Sequence, residues 1–117
     1  MTKVVLYHNP GCSKSRGALA LLEPLGLALD VVEYLKAPLS RAELETLLDQ
    51  LGGSPGGLVR KDKHFKELGL DPSDYEDREA VAQILSEHPR LMERPIAVAD
   101  GRAVIGRPPE RVLELIG

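Results

Sequence analysis

Cys12 is the only cysteine of the chain and stands in the polar segment His8-Asn9-Pro10-Gly11-Cys12-Ser13-Lys14-Ser15. An apolar run precedes the segment and a helical pattern follows it. That places the thiol where the first free amides and the positive end of a helix dipole favour an anion. A thiolate at a helix N-terminus is acidified, and the thiolate is the nucleophile. Lys14 and Arg16 add positive charge, and His8 could exchange a proton near neutrality. Asn9 and Ser15 could hydrogen-bond the thiolate or a bound anion, although both are also ordinary turn and capping residues. No second cysteine stands at position 15, so Cys12 has no internal partner. If Cys12 forms an adduct, an external thiol must resolve it.

Arginine is the second signal. Arg60, Arg94 and Arg107 each stand at a loop or element boundary, beside Lys61, Pro95 and Pro108. A planar guanidinium fork fits a tetrahedral oxyanion better than an ammonium does. Taken singly, each is also a normal surface residue. His64 and His88 have no partners at metal-ligand spacing, so no metal site is expected. Gly52-Gly53 and Gly56-Gly57 lack the Gly-Lys-Ser/Thr of a phosphate loop.

The elements that must position these groups follow from periodicity. Lys3–Tyr7 reads as a buried strand, and a helix runs from Ser13 with Ala18, Leu21, Leu22 and Leu25 on one face. Leu29–Tyr34 reads as a second strand, completing a βαβ unit whose strands pair in parallel. Ser40-Arg41-Ala42-Glu43 is a capping box opening a helix with Leu44, Leu47, Leu48 and Leu51 inward, stopped by Gly52-Gly53. Short helical turns are expected over 54–75, then a helix over 77–87 with Val81, Ile84 and Leu85 inward. Strands at Ile96–Val98 and Ala103–Ile105 flank Asp100-Gly101, a strong hairpin signal. A last helix starts at Pro108 or Pro109, with Val112, Leu113 and Ile116 inward. The layout is α/β and thioredoxin-like, βαβ then ββα, in one domain over 1–117 with a helical insertion at roughly 40–90. In such a layout a reactive thiol between the first strand and helix faces a proline before the third strand; here these are Cys12 and Pro95.

Composition narrows the function. The 117 residues are 43% hydrophobic and 28% charged, as in an ordinary globular domain. Aromatics are only 3% and the net charge is -3, which disfavours nucleic-acid stacking platforms and polyanion or membrane-surface binding. No apolar run approaches the roughly 20 residues that span a bilayer. Met1-Thr2-Lys3-Val4 leads into a strand without a signal-peptide cleavage pattern, and a lone thiol fits a reducing compartment, so a cytoplasmic location is expected.

The segments YHNPGCSKSRGALALL (7–22), VEYLKAPLSRAEL (32–44), LVRK (58–61), RPIAV (94–98) and GRPPERVLELI (106–116) together resemble the arsenate reductase (ArsC) family, of the glutaredoxin-coupled kind. The resemblance implies an oxidoreductase in which Cys12 attacks arsenate and Arg60, Arg94 and Arg107 bind the oxyanion and its arsenic intermediates. It implies that His8 lowers the thiol pKa and that Ser15 hydrogen-bonds the thiolate. Glutathione then acts as co-substrate, glutaredoxin reduces the adduct, and arsenite leaves, with no tightly bound cofactor and a monomeric protein. Two other activities belong to similar proteins: glutathione-dependent thiol or disulfide reduction, and Spx-like binding of RNA polymerase without catalysis. Ser15 argues against the C-x-x-C redox switch of the typical Spx regulator.

Overall fold

The computed structural model describes residues 3–116, as two compact units, 3–37 with 94–116 and 38–93. The first unit is built on a four-stranded sheet. β1 (Lys3–His8) leads through the thiol-bearing turn into α1 (Ser13–Leu22), and β2 (Ala28–Glu33) returns beside β1. β3 (Ile96–Ala99) and β4 (Arg102–Ile105) complete the order β2-β1-β3-β4. β1 pairs in parallel with β2 and antiparallel with β3, and β3 antiparallel with β4. The alternation of β1 sends Val4, Leu6 and His8 to one buried face. Val4 and Leu6 pack there with Ala18 and Leu22 of α1, Ala97 and Ala99 of β3, and Val112 and Leu115. The α/β, thioredoxin-like architecture expected from the sequence is present.

The β3–β4 hairpin turns at Asp100 and Gly101, with φ of 51° and 75°. Two consecutive positive φ values define the turn whose twist matches the flanking strands.

Two helical faces differ from the expectation. α1 tightens into a 3-10 turn at Glu23–Leu25, ended by Gly26 at φ 69°. The change of pitch carries Leu25 off the α-helical stripe, leaving it 46% exposed. The last helix, Pro109–Leu115, is 3-10 throughout. With three residues per turn, Val112 and Leu115 share the inner face, while Leu113, expected inward, is exposed.

The second unit, Pro38–Glu93, is helical. It contains α2 (Arg41–Leu51), α3 (Lys63–Glu67) and α4 (Arg78–Glu87), with 3-10 turns at Pro55–Leu58, Pro72–Asp74 and Pro89–Leu91. The capping box at Ser40 is complete: Glu43 N–H donates to Ser40 Oγ at 3.1 Å, and Ser40 N–H to Glu43 Oε1 at 2.9 Å. Asp62 and Asp77 cap α3 and α4 in the same sense, accepting from Phe65 and Ala80. Arg78 on α4 holds Asp49 on α2 with two bonds, Nε to Oδ1 at 2.8 Å and Nη2 to Oδ2 at 2.9 Å.

Candidate active site

The thiol loop is a chain of short local bonds. Cys12 N–H donates to the Asn9 carbonyl at 3.0 Å, closing the turn Asn9-Pro10-Gly11-Cys12. Gly11 N–H donates to Asn9 Oδ1 at 2.9 Å, the Asx turn that this residue type favours. From the helix, Arg16 Nη1 donates to the Pro10 carbonyl at 2.8 Å. Cys12 itself is the N-cap of α1, in extended conformation, and partly exposed.

At this position the sulfur faces the open amides of the first helical turn. Burial by itself pushes the Cys12 thiol up. The amide N–H groups of Ser15 and Lys14 act the other way, and so does the Arg94 guanidinium, through charge and hydrogen bonding. The balance holds the thiol below its ordinary value. A larger thiolate fraction is therefore available near neutral pH.

Arg94 is the second component. It directly precedes Pro95 and β3, and both the Arg94–Pro95 and the Arg107–Pro108 peptides are cis. Its Nε and Nη1 are buried and find no acceptor among the described residues. A buried cationic donor without an acceptor is costly, and native proteins rarely leave one without a functional reason. The Arg94 carbonyl accepts from Arg107 Nη1 at 3.1 Å, which brings Arg107 to the same segment.

His8 and Ser15 form a small buried network. His8 Nδ1 and Ser15 Oγ are 2.7 Å apart, and Ser15 Oγ also accepts from Asn9 N–H at 2.9 Å. Burial holds the His8 imidazole below its ordinary value against Glu33, which pushes it up; Arg16 pushes it down and Glu23 up. A neutral imidazole uses Nδ1 to accept the Ser15 hydroxyl proton, and Oγ is then committed on both sides. Ser15 reaches the thiol through its amide, not its hydroxyl, and His8 bonds to Ser15 while the thiol is acidified by amides and Arg94. The serine and histidine thus brace the loop that carries the sulfur.

Arg60 lies in the helical unit. Its Nη1 is 3.0 Å from Asp62 Oδ2 and its Nε 3.7 Å from Glu93 Oε1. Its own N–H donates to the Leu91 carbonyl at 2.7 Å.

Two further contributors, Gly106 and Glu33, carry no signal of residue type, and a third, Arg16, acts by a contact beyond its charge. Gly106 N–H donates to the Pro95 carbonyl at 2.8 Å, and a Cβ at 106 would meet Pro95 Cγ at 2.8 Å and Val112 Cγ1 at 3.0 Å. Only glycine permits that approach. Arg16 was visible in the sequence as charge, but its clamp on Pro10 is a tertiary contact. Glu33 stands opposite His8 in the β1–β2 register, a neighbour that only strand pairing reveals. Among the described residues no cluster of three or more His, Cys, Asp or Glu could hold a metal, and no helix is long and apolar enough to cross a membrane.

The chain is similar to known proteins over nearly its whole length. The chain is 46% identical over 114 residues to the arsenate reductase of Neisseria meningitidis serogroup A, covering 96% of this chain and 97% of that one. It is 51% identical over 120 residues to the Escherichia coli K12 protein called "Uncharacterized protein YfgD", over the full length of both. The solved structure of an arsenate reductase from Vibrio cholerae superposes with a TM-score of 0.88 at 46% identity, covering 97% of this chain and 98% of that chain. Residues 7–115 match the ArsC family model, and with these relatives that places the thiol loop, Arg94 and the sheet that carries them within the ArsC family, to which this chain belongs.

Proposed function

We propose that this protein reduces arsenate to arsenite, with Cys12 as the nucleophile and Arg94 as the residue that receives the oxyanion. One observation carries the reading: a half-buried guanidinium whose buried Nε and Nη1 have no acceptor among the described residues acts on a thiol that is acidified at a helix N-terminus. A tetrahedral oxyanion supplies acceptors to the uncommitted donors of Arg94. Charge-assisted bonds of this kind are the strong ones, and a preset cation stabilises charge as it develops. The family resemblance adds Arg60 and Arg107 as further oxyanion ligands and Asn9 as a polar contact.

The chemistry begins with the Cys12 thiolate attacking arsenic(V). An S–As bond forms, an As–O bond breaks, and the oxygen leaves as water after taking up protons. Glutathione then replaces a second oxygen in the same way, leaving arsenic(V) bound to two sulfurs. A glutaredoxin thiolate attacks the glutathione sulfur and the S–As bond breaks, its electron pair staying on arsenic. The products are a glutathione–glutaredoxin mixed disulfide and arsenic(III) on Cys12; water releases arsenite and restores the thiol. External thiols enter because Cys12 is the chain's only cysteine. In this reading glutathione and glutaredoxin supply the reducing thiols in the cytoplasm, and no tightly bound cofactor takes part.

The test is NADPH consumption with arsenate, glutathione, glutaredoxin and glutathione reductase, run beside Cys12→Ser. Turnover that needs both arsenate and Cys12 is expected. Turnover retained in Cys12→Ser removes the nucleophile, and a silent assay with a readily alkylated thiol removes the substrate.

A further inference from the structure

Arg94 has to keep its guanidinium against Cys12 from a segment that lies between elements. What holds that segment comes from the other end of β4. Gly106 N–H donates to the Pro95 carbonyl at 2.8 Å, and Arg107 Nη1 donates to the Arg94 carbonyl at 3.1 Å. The two bonds fall on consecutive carbonyls. The Pro95 ring lies against the bare Cα of Gly106, closely enough that a Cβ there would stand 2.8 Å from Pro95 Cγ. Arg107 is fixed in turn, its N–H donating to the Ile105 carbonyl at 2.9 Å at the end of β4. β4 pairs with β3, Ile105 opposite Ile96, so the brace and the braced segment share one sheet frame.

We propose that Arg107 is a positioning residue in the free protein: it fastens the main chain of Arg94 so that the Arg94 guanidinium meets the Cys12 sulfur, and its effect on the thiol runs through Arg94. The carbonyl of Arg94 is one residue's backbone away from the side chain that does the work. Releasing it lets the segment rotate and carries the guanidinium off the sulfur, since donor placement of about an ångström decides such interactions. This role is distinct from oxyanion binding, and of the reading above it uses only the action of Arg94 on Cys12. The oxyanion plays no part in it.

The experiment therefore measures the thiol without arsenate. The rate of Cys12 alkylation by iodoacetamide is followed against pH in the intact protein, in Arg107→Gln, Arg94→Gln and the double variant, with thermal unfolding of each. Glutamine keeps polarity but its stem is too short to span to the Arg94 carbonyl. Arg107→Gln is expected to move the thiol's ionisation upward and slow alkylation at pH 7 by about three- to tenfold, a shift approaching one pKa unit. In the Arg94→Gln background the same substitution is expected to change the rate by less than about twofold, because positioning has nothing left to position. Arg107→Lys, which keeps a donor on a long stem, should restore the thiol to within about twofold of the parent, and it serves if Arg107→Gln does not fold. Equal factors in both backgrounds would make Arg107 a direct electrostatic partner of the sulfur and overturn the proposal. An Arg107→Gln thiol identical to the parent, or an Arg107→Lys thiol displaced as far as in Arg94→Gln, overturns it as well. None of these outcomes depends on whether arsenate is the substrate.

Discussion

Arg94 and Arg60 are the same residue type in two differently organised units. In the sheet unit, Arg94 keeps Nε and Nη1 buried without acceptors and acts on an acidified thiol. In the helical unit, Arg60 has Asp62 at 3.0 Å and Glu93 at 3.7 Å, so its charge is compensated where it stands. An anion meeting Arg94 gains bonds that the protein does not otherwise make. An anion meeting Arg60 must compete with carboxylates already there. Charge in a sequence is therefore a poor measure of anion affinity, and the donor capacity left uncommitted is the better one.

The comparison is broken or sharpened by substitution. The largest effect falls on the sulfur that both arginines are expected to serve. Cys12→Ser should lower arsenate-dependent turnover by about a thousandfold or more with unfolding unchanged, as expected of a nucleophile. Next comes the fork geometry. Arg94→Lys conserves charge and should still lower kcat/KM for arsenate by about 10- to 100-fold, with Arg60→Lys affecting it less. Equal losses in steady-state assays would remove the distinction between the two arginines.

Stability should separate them in the opposite direction. Gly106→Ala sets a Cβ against Pro95 and Val112, and overpacking of this kind costs about 1–3 kcal/mol. Its unfolding midpoint should drop, and its thiol should alkylate more slowly because Pro95 and Arg94 move together. Arg94→Met removes a cation whose buried Nε and Nη1 have no acceptor and should leave stability equal or higher by about 1 kcal/mol, whereas Arg60→Met takes the cation from beside Asp62 and Glu93 and should lower it by about 1 kcal/mol. Denaturant unfolding reads both.

The smallest effect is a pH dependence confined to the sheet unit. The folded His8 binds its proton less readily than an unfolded histidine near 6.5, with burial as the main cause. The unfolded chain therefore takes up the proton first as pH falls. The contribution of His8 is complete above about 6.5 and is lost as pH falls from there through the folded value. Melting temperatures at pH 7.5 and 5.5 should differ less in His8→Gln than in the parent. An unchanged difference assigns the dependence to other groups.

Much of the fold was legible because its signals are local. The capping box at Ser40 and Glu43 and the Asp100-Gly101 turn need only neighbouring residues, and both formed as read. Leu25 and Leu113 leave the α-helical stripe because the chain winds there as a 3-10 helix, and residue type alone does not announce that change of pitch. At the site, the place of the thiol could be read, since a cysteine in a polar strand-to-helix turn is not a core position. The standing of Arg94 could not. It depends on which acceptors the distant chain fails to provide, and no spacing encodes that. The division of roles within Ser15, amide toward sulfur and hydroxyl toward His8, is likewise set by side-chain direction inside a turn.

The β3–β4 hairpin has a practical use. Its tip at Asp100-Gly101 lies at the end of β3 away from Arg94, beyond the Ala99–Arg102 pair, and both tip residues are solvent-exposed. Grafted epitopes, reporter peptides and new chain termini are best accepted at such tips. A fluorophore or affinity handle introduced there would follow the sheet unit while leaving the thiol loop and its arginine brace untouched.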